Sequence, residues 1–329
     1  MNDRMNRTKD TQNKVKDKMI KSREKTDRTK GKQHKVTKNS PQKSSDKKVA
    51  SKEVKHMVFA LGISPTGNTE KAVRYVASGI ADKLSGGDYF YIDITQPDAR
   101  DGVYEFGAGD IVILGCPTYA GRIPNKLMPY IKESIYGSGA IGISLVTYGN
   151  RAYDDALKEM AYIMQNNDFE MLAALAVPAE HAFSSMLAEG RPNNEDLDNL
   201  YSFGIKIGET IKSGKYKTLN LPAIPGRMPE EMKYYVPKKE NGEAASFLKA
   251  MPITDESKCT GCGECRRKCT MGCYDNSLTQ PEGICIKCQG CIKACPNGAK
   301  RFDDADFLSH VGFLEKNYSN VVREIEFFV

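Results

Sequence analysis

The cysteine-rich stretch that organises this chain reads C-T-G-C-G-E-C-R-R-K-C at residues 259–269 and C-I-K-C-Q-G-C-I-K-A-C-P at residues 285–296. Both runs share the spacing C-x2-C-x2-C-x3-C, and every cysteine of the first run has a counterpart 26 positions later. The same offset relates Gly272 to Gly298. The stretch is therefore an internal duplication, and its two equal halves predict two equal metal sites.

Cysteines at this spacing are typical ligands of cubic iron-sulfur clusters. Three thiolates of one run can hold three corners of a cube, and the fourth ligand must come from elsewhere. In the bacterial two-cluster pattern the fourth cysteine of each run binds the cluster of the other run. This pattern assigns one cluster to Cys259, Cys262, Cys265 and Cys295. It assigns the other to Cys269, Cys285, Cys288 and Cys291.

Zinc is the alternative metal. A C-x2-C pair ending at Cys265 and another starting at Cys285 are separated by 19 residues, which is a zinc-site spacing. Zinc takes four ligands and would leave the other four cysteines of the duplication unused, whereas two cubic clusters use all eight. The cluster interpretation is favoured, and zinc remains the alternative for a metal analysis to test.

Residues 252–302 resemble the bacterial-type ferredoxins that hold two [4Fe-4S] clusters. The resemblance implies a small α+β ferredoxin domain at residues 251–302. One departure is Thr270, which stands where the family pattern has the proline found at Pro296. The other is Cys273, which aligns with Ala299 in the duplication, and we interpret it as a buried core thiol.

The N-terminal 50 residues differ sharply from the rest in charge. They contain 17 Lys plus Arg residues against 6 Asp plus Glu, a net charge of +11, whereas the whole chain carries +6. Residues 1–50 lack apolar periodicity and are predicted to be a disordered basic tail. Such a tail attracts acidic partners, but it has no aromatic residue for base stacking, so at most weak nucleic-acid binding is expected.

Neither a membrane span nor a secretory signal is expected. No run of 18 apolar residues occurs, and the N-terminus lacks the apolar region of a signal peptide. Cysteines clustered at metal-binding spacing suit a reducing compartment. We therefore expect a cytoplasmic protein.

Residues 54–214 alternate between strand-like and helix-like patterns. Strands are predicted at residues 56–63, 89–94, 110–116, 141–148 and 172–177. Helices are predicted at residues 68–84, 125–134, 154–165 and 195–213. This alternation predicts an α/β fold, a doubly wound parallel sheet of five strands, for which the flavodoxin-like order 2-1-3-4-5 is the natural choice.

The loop after the first strand reads S-P-T-G-N-T at residues 64–69 and leads directly into a helix. Hydroxyl groups and free N–H groups at a helix N-terminus form a phosphate site. A nucleotide-hydrolysing P-loop is excluded because Asn68 occupies the position of its lysine. The G-x-G-x-x-G fingerprint of dinucleotide-binding proteins is also absent from this loop.

Two further loops follow the third and fourth predicted strands. They read C-P-T-Y-A-G-R-I-P at residues 116–124 and T-Y-G-N-R-A-Y at residues 147–153. In the order 2-1-3-4-5 these loops adjoin the first at the carboxyl edge of the sheet. Each contains a tyrosine and a glycine, which supply the aromatic face and the close backbone approach that a flat flavin ring needs.

The three loops resemble the FMN-binding loops of flavodoxins, and residues 55–302 resemble flavodoxin-like proteins fused to a two-cluster ferredoxin. The resemblance implies FMN and two [4Fe-4S] clusters as cofactors. The residues that it assigns to FMN are Ser64, Thr66, Gly67, Asn68, Thr69, Pro117, Thr118, Tyr119, Ala120, Gly121, Thr147, Tyr148, Gly149, Asn150 and Arg151. Cys116 and His181 are interpreted as packing residues at the edge of this pocket.

Two segments complete the organisation of the chain. Residues 215–250 contain four prolines and are predicted to be an extended linker. Residues 303–329 form a C-terminal segment whose scattered apolar residues predict docking onto the rest of the protein.

The combination favours an electron-transfer protein that passes electrons between FMN and redox protein partners through two clusters. A flavin holds one or two electrons, whereas each cluster moves one. No catalytic residue is assigned, so a carrier is favoured over an oxidoreductase with its own substrate. The alternatives are a flavin-dependent reductase that uses the ferredoxin part as its electron inlet, and a redox sensor.

Overall fold

The computed structural model describes residues 56–329. The tail predicted at residues 1–50 lies outside the described residues. The strands are β1 Val58–Gly62, β2 Phe90–Asp93, β3 Tyr104–Glu105, β4 Ile111–Pro117, β5 Ile135–Tyr136, β6 Ile141–Tyr148, β7 Glu170–Pro178, β8 Ile253–Thr254, β9 Lys300–Arg301 and β10 Glu326–Phe328. The helices are α1 Asn68–Leu84, α2 Met128–Ser134, α3 Ala156–Asn166, α4 Asn194–Ser213, α5 Glu264–Arg267, α6 Gly290–Lys293 and α7 Ala305–Tyr318.

The main sheet has the order β10-β7-β6-β4-β1-β2. The pairs among β1, β2, β4, β6 and β7 are all parallel, so these five strands follow the predicted order 2-1-3-4-5. The sheet has six strands, one more than the five predicted from the sequence. Strand β10, from the C-terminal segment, pairs antiparallel with β7 and covers the outer edge of the parallel sheet.

The core of the sheet region lies on both faces of the parallel strands. On one face, odd-numbered residues of β6 such as Ile143 pack with Val76 of α1 and Leu200 of α4. Successive side chains of a strand point to opposite faces, so the even-numbered Gly142 faces the other side, where it lies against Met164 of α3. Helices therefore cover both faces, which is the doubly wound arrangement.

Helices α1 and α4 cross at two glycines. A Cβ atom at Gly79 would lie 2.2 Å from the carbonyl oxygen of Tyr201, and one at Gly204 would lie 2.3 Å from that of Val76. Both distances are far below van der Waals contact, so the backbones can approach this closely only because neither residue has a side chain. This contact fixes α4 against α1, whose N-terminus begins at the candidate phosphate loop.

The proline-containing segment of residues 215–250 runs along the sheet region. Its regular structure consists of two 3₁₀ turns, Leu221–Ala223 and Pro229–Glu231. Its backbone forms hydrogen bonds with the sheet region at two points, with Leu219 N donating to Met171 O and Tyr235 N donating to Ala120 O. The second bond joins this segment to one of the predicted flavin loops.

The cysteine-rich stretch has little regular structure. Strands β8 and β9 form a two-residue antiparallel pair, and helices α5 and α6 have four residues each. Its buried cluster consists of Tyr274 and four cysteines, namely Cys265, Cys269, Cys273 and Cys291. Buried thiols therefore replace much of the apolar core that a domain of this size needs.

Among the helices of residues 56–329, none is both long and apolar enough to cross a membrane.

Candidate cofactor sites

The loop between β1 and α1 forms a tight turn at the carboxyl edge of the sheet. Gly67 has a φ of 91°, in the left-handed region that glycine tolerates, and α1 begins at the next residue. The Ser64 hydroxyl accepts a hydrogen bond of 2.9 Å from the backbone N–H of Glu70. The Ser64 side chain thus satisfies an N–H group of the first helical turn that has no partner within the helix.

Two other residues of this loop are tied to neighbouring strands. The Asn68 amide donates to the carbonyl oxygen of Glu180, which follows β7. The Thr69 hydroxyl is buried and shares a hydrogen bond of 2.8 Å with the Thr147 hydroxyl of β6. None of these contacts involves Thr66, so its hydroxyl is fully available to a phosphate, together with the first-turn N–H groups of α1.

The loop after β4 carries the residues assigned to one side of the flavin ring. The backbone N–H of Thr118 donates to Thr147 O, which joins this loop to the end of β6. The Thr118 hydroxyl is buried, and among the described residues it has no hydrogen-bond partner. A buried hydroxyl without a partner costs free energy, so a ligand that accepts or donates a hydrogen bond here fits the site.

Tyr119 follows in the same loop and is half-buried. Its backbone forms a two-residue bridge with Arg122, while Ala120 and Gly121 adopt positive φ angles of 49° and 77° to complete the turn. Burial, followed by the nearby sulfur of Cys288, raises the pKa of the Tyr119 hydroxyl well above its ordinary value.

The loop after β6 is held by internal contacts. The Tyr148 ring is buried and packs edge-on against Tyr153 with a centroid separation of 5.3 Å. Burial raises the pKa of Tyr148 to about 12. The guanidinium of Arg151 pairs with Asp154 and lies 3.9 Å from the ring centroid of Tyr235. Of the two tyrosines expected to stack on the flavin, Tyr119 is thus the more accessible.

Asn150 connects this loop to the C-terminal segment. It has a φ of 62°, and its side-chain amide donates to the carbonyl oxygens of Tyr318 and Val321, each at 2.7 Å. Arg323 in turn donates to the carbonyl oxygens of Asn150 and Arg151. The C-terminal segment therefore fixes the backbone of the predicted flavin loop, a role that residue type and spacing do not signal.

His181 lies against the same loop. A Cβ atom at Gly149 would be 2.1 Å from Cδ2 of His181, so only glycine fits there. The Nδ1 atom of His181 accepts a hydrogen bond of 3.0 Å from Phe183 N, and burial lowers the pKa of the imidazole to about 3. The ring is therefore neutral at physiological pH. Cys116, at the end of β4, is fully buried, and burial raises the pKa of its thiol.

A cavity of about 470 Å³ lies beside Tyr148. Its lining includes Tyr148, Tyr153, Arg227, Arg323 and Glu326. The lining includes neither the phosphate loop nor any cysteine. This cavity is distinct from the predicted FMN contacts, although Tyr148 belongs to both.

The eight cysteines of the duplication line two separate cavities, and all ten cysteines of the chain are free thiols. The first cavity contains Cys259, Cys262, Cys265 and Cys295. The second contains Cys269, Cys285, Cys288 and Cys291, together with Cys273. Each cavity therefore combines three cysteines of one run with the last cysteine of the other.

The two halves of the duplication have matching backbone geometry around the exchanged cysteine. Cys273 N donates to Cys269 Sγ at 3.1 Å, and Ala299 N donates to Cys295 Sγ at 3.2 Å. The preceding residues, Gly272 and Gly298, both have positive φ angles, of 71° and 59°. Backbone N–H groups aimed at these sulfurs favour the thiolate form that metal binding requires.

The chemistry of both cavities fits an iron-sulfur cluster. Gln289, between two cysteines of the second cavity, has a buried Nε2 atom with no hydrogen-bond partner among the described residues, and such a donor suits a cluster sulfur. Within residues 56–329, no group of three or more His, Cys, Asp or Glu side chains is arranged to hold a single metal ion.

The second cavity adjoins the loops of the parallel sheet. A Cβ atom at Gly290 would lie 3.2 Å from the carbonyl oxygen of Pro65 in the phosphate loop. Lys293 of α6 forms an ion pair with Glu180. Because the backbone of Glu180 also accepts the hydrogen bond from Asn68, this residue connects the phosphate loop to the cysteine-rich stretch.

Thr270 forms the other connection. Its carbonyl oxygen accepts a hydrogen bond of 2.6 Å from Arg100, which also donates to Thr95 O beyond β2. Its hydroxyl lies 3.7 Å from Cys288 Sγ. This buried hydroxyl gives a physical reason for threonine where the ferredoxin pattern has proline.

Three residues at these sites were not predicted from the sequence, namely Arg100, Glu180 and Gln289. Only Gln289 carries a signal in the sequence, which is its position between two candidate ligand cysteines.

The comparisons with known proteins concern the sheet region. No protein-family model matches the chain, and no curated protein matches it. A solved archaeal flavodoxin is similar at 18% identity over 48% of this chain and 99% of that one, with a TM-score of 0.35. The two-electron reduced flavodoxin of Megasphaera elsdenii shows 13% identity over 46% and 99% of the chains, with a TM-score of 0.31.

Part of a larger protein, the rubredoxin oxygen:oxidoreductase of Desulfovibrio gigas, is also similar. The identity is 17% over 49% of this chain and 36% of that one, with a TM-score of 0.32. These TM-scores are too low to support the fold assignment, which rests on the strand order and the loop geometry.

Proposed function

We propose that this chain is an electron-transfer protein with an FMN site in a flavodoxin-like domain at residues 54–214 and two [4Fe-4S] clusters in a ferredoxin-like domain at residues 251–302. The observation that carries the proposal is the sorting of the eight cysteines into two cavities with exchanged fourth members. This exchange is the ligand pattern of two-cluster ferredoxins. Residues 215–250 connect the domains, and residues 303–329 fix the loops of the sheet.

The FMN assignment rests on the three loops at the carboxyl edge of the sheet. Thr66 and the first-turn N–H groups of α1 would hold the phosphate, because a helix N-terminus favours anions. Thr118 would pair its buried hydroxyl with the flavin, and Tyr119 would supply an aromatic face. When bound, FMN supplies a centre that holds one or two electrons.

The position of the second cavity supports electron exchange between the two domains. Gly290 against Pro65 and Arg100 bonded to Thr270 hold this cavity beside the loops of the sheet. Cys262 of the first cavity is exposed, so this cavity is accessible to a redox protein. The proposed electron route therefore connects, in this order, the flavin loops, the second cavity, the first cavity and the protein partner. A reducing, cytoplasmic compartment suits the free thiols.

The test uses the full-length protein, prepared without oxygen and reduced chemically. A Cys262→Ser variant should keep its flavin and its reduction by dithionite, but should lose most of its electron transfer to a protein acceptor such as a cytochrome. A Thr260→Ala variant, which alters an exposed neighbour of the same cavity, should transfer electrons at the wild-type rate. Equal transfer by the Cys262→Ser variant and the wild type would remove the first cavity from the route.

A reductase with its own substrate is the second candidate. The cavity of about 470 Å³ beside Tyr148 favours it, since a small molecule held there would lie next to a predicted flavin loop. Rapid turnover of a small organic acceptor that persists in the Cys262→Ser variant would support the reductase. Because the dinucleotide fingerprint is absent from the first loop, NADH or NADPH alone should not reduce the protein at a useful rate.

A further inference from the structure

The second cavity contains one thiol more than a cubic cluster needs. Five cysteines line it, whereas four line the first. The additional one is Cys273, which is 6% exposed. Its Sγ atom lies 3.4 Å from the carbonyl oxygen of Ile284, the residue directly before the ligand candidate Cys285. Cys273 is therefore held among the thiols of this cavity rather than in a separate apolar core.

The duplication supplies a matched position for comparison. Residue 299 has the same backbone relation to Cys295 as residue 273 has to Cys269, with N–H to Sγ distances of 3.2 Å and 3.1 Å. The residue there is alanine, which is 1% exposed. Packing at this position thus does not require sulfur, and the thiol at residue 273 is a chemical difference between two otherwise equivalent halves.

We propose that Cys273 is a reserve ligand of the second iron-sulfur site, able to take the place of Cys269. The proposal rests on the proposed function, since it presupposes a cluster in this cavity. In the exchange, a bond from a cluster iron to Cys269 Sγ would break and one to Cys273 Sγ would form. The thiol proton of Cys273 passes to the released Cys269 thiolate, and no electron is transferred.

The exchange needs only a short movement. The same segment, residues 269–273, carries both sulfurs, and the backbone N–H of Cys273 already bonds to Cys269 Sγ. Gly272 between them has a positive φ and no side chain, so the segment can readjust locally. The first site has no such reserve, and loss of Cys295 there would leave an iron without a protein ligand.

The test compares single and double variants of the full-length chain, purified without oxygen and analysed for iron, acid-labile sulfide and the electron paramagnetic resonance of the reduced protein. The wild type should hold roughly eight irons. A Cys269→Ala variant should keep about the same number, with an altered signal from one cluster. The Cys269→Ala/Cys273→Ala double variant and the Cys295→Ala variant should each fall to about half.

A rescue variant keeps the test decisive if a single substitution impairs folding. Adding Ala299→Cys to Cys295→Ala should restore the first cluster, because it recreates the arrangement of the other half. Equal iron loss in Cys269→Ala and in the double variant, with no rescue by Ala299→Cys, would overturn the reserve-ligand proposal while leaving the two-cluster function intact. A wild-type protein without labile sulfide would instead refute the proposed function.

Discussion

The sheet of residues 58–178 and the cysteine-rich stretch of residues 259–295 are stabilised in different ways. The sheet buries aliphatic side chains on both faces, and residues such as Ile113 and Leu145 are completely inaccessible. The cysteine-rich stretch has helices of four residues, a strand pair of two, and a buried cluster made mostly of thiols. The apolar core of the sheet is therefore sufficient to stabilise it, whereas we expect the stability of the cysteine-rich stretch to depend on what its thiols bind.

The largest expected effect follows from removing iron from the anaerobic protein with a chelator. Residues 252–302 should lose nearly all protection against amide hydrogen exchange, because their core is then a set of unbridged thiols. Residues 58–178 should keep theirs. The matched control is the iron-loaded protein in the same buffer. Unchanged protection of the cysteine-rich stretch would show that it folds without a metal.

A core substitution in the sheet should destabilise the sheet and leave the cysteine-rich stretch unaffected. Leu114 is 1% exposed in β4, so Leu114→Ala should lower the free energy of unfolding of the sheet by about 2–5 kcal/mol. Iron content should remain at the wild-type value. Leu248→Ala is the control, since Leu248 is 88% exposed and its truncation should change stability by about 0.5 kcal/mol or less. Denaturant unfolding monitored by circular dichroism measures both.

The phosphate loop allows a finer distinction between its residues. Thr66→Ala should weaken FMN binding by about 10- to 150-fold, since a hydrogen bond to a charged group contributes about 1.5–3 kcal/mol. Thr69→Ala removes a hydroxyl that bonds to Thr147, so it should affect stability more than FMN affinity. Fluorescence titration with FMN measures the affinities. If Thr66→Ala leaves the affinity unchanged, another loop holds the phosphate.

The smallest expected effect concerns the ion pair between Lys293 and Glu180. Burial would raise the pKa of Glu180, but the hydrogen bonds from Lys293 and from the backbone N–H of Gly190, with the charges of Lys293 and Lys71, together hold the pKa below its ordinary value. The carboxylate therefore stabilises the folded state above the unfolded pKa of about 4.3, and this contribution is lost as the pH falls through the folded pKa. Lys293→Ala should cost less than about 1 kcal/mol at pH 7, and less at pH 3. An equal cost at both pH values would argue against the ion pair.

The periodic elements of the sheet were predictable from the sequence. Strand β6 and helix α1 have the predicted bounds, residues 141–148 and 68–84, because long apolar patterns fix them. Strand β10 was missed as a strand, since its three residues are too few for a period-2 pattern. The pairing of β10 with β7 depends instead on contacts between residues about 150 positions apart.

The same distinction holds for the candidate sites. The two-cluster ligand pattern divides the eight cysteines into the same two sets that line the two cavities, whereas cluster binding by each set stays a prediction. The contacts of Arg100 with Thr270 and of Asn150 with Val321 join residues 170 and 171 positions apart. Such contacts arise only when distant elements pack, so no local pattern of residues indicates them.

The measurement that tests the central claim most directly is the cofactor content of the full-length protein purified without oxygen. The account predicts roughly eight irons and eight labile sulfides per chain, one FMN, little zinc, and an absorbance spectrum with both flavin and cluster bands. Stoichiometric zinc without labile sulfide would contradict it, because the two cysteine cavities would then belong to a structural metal rather than to electron transfer.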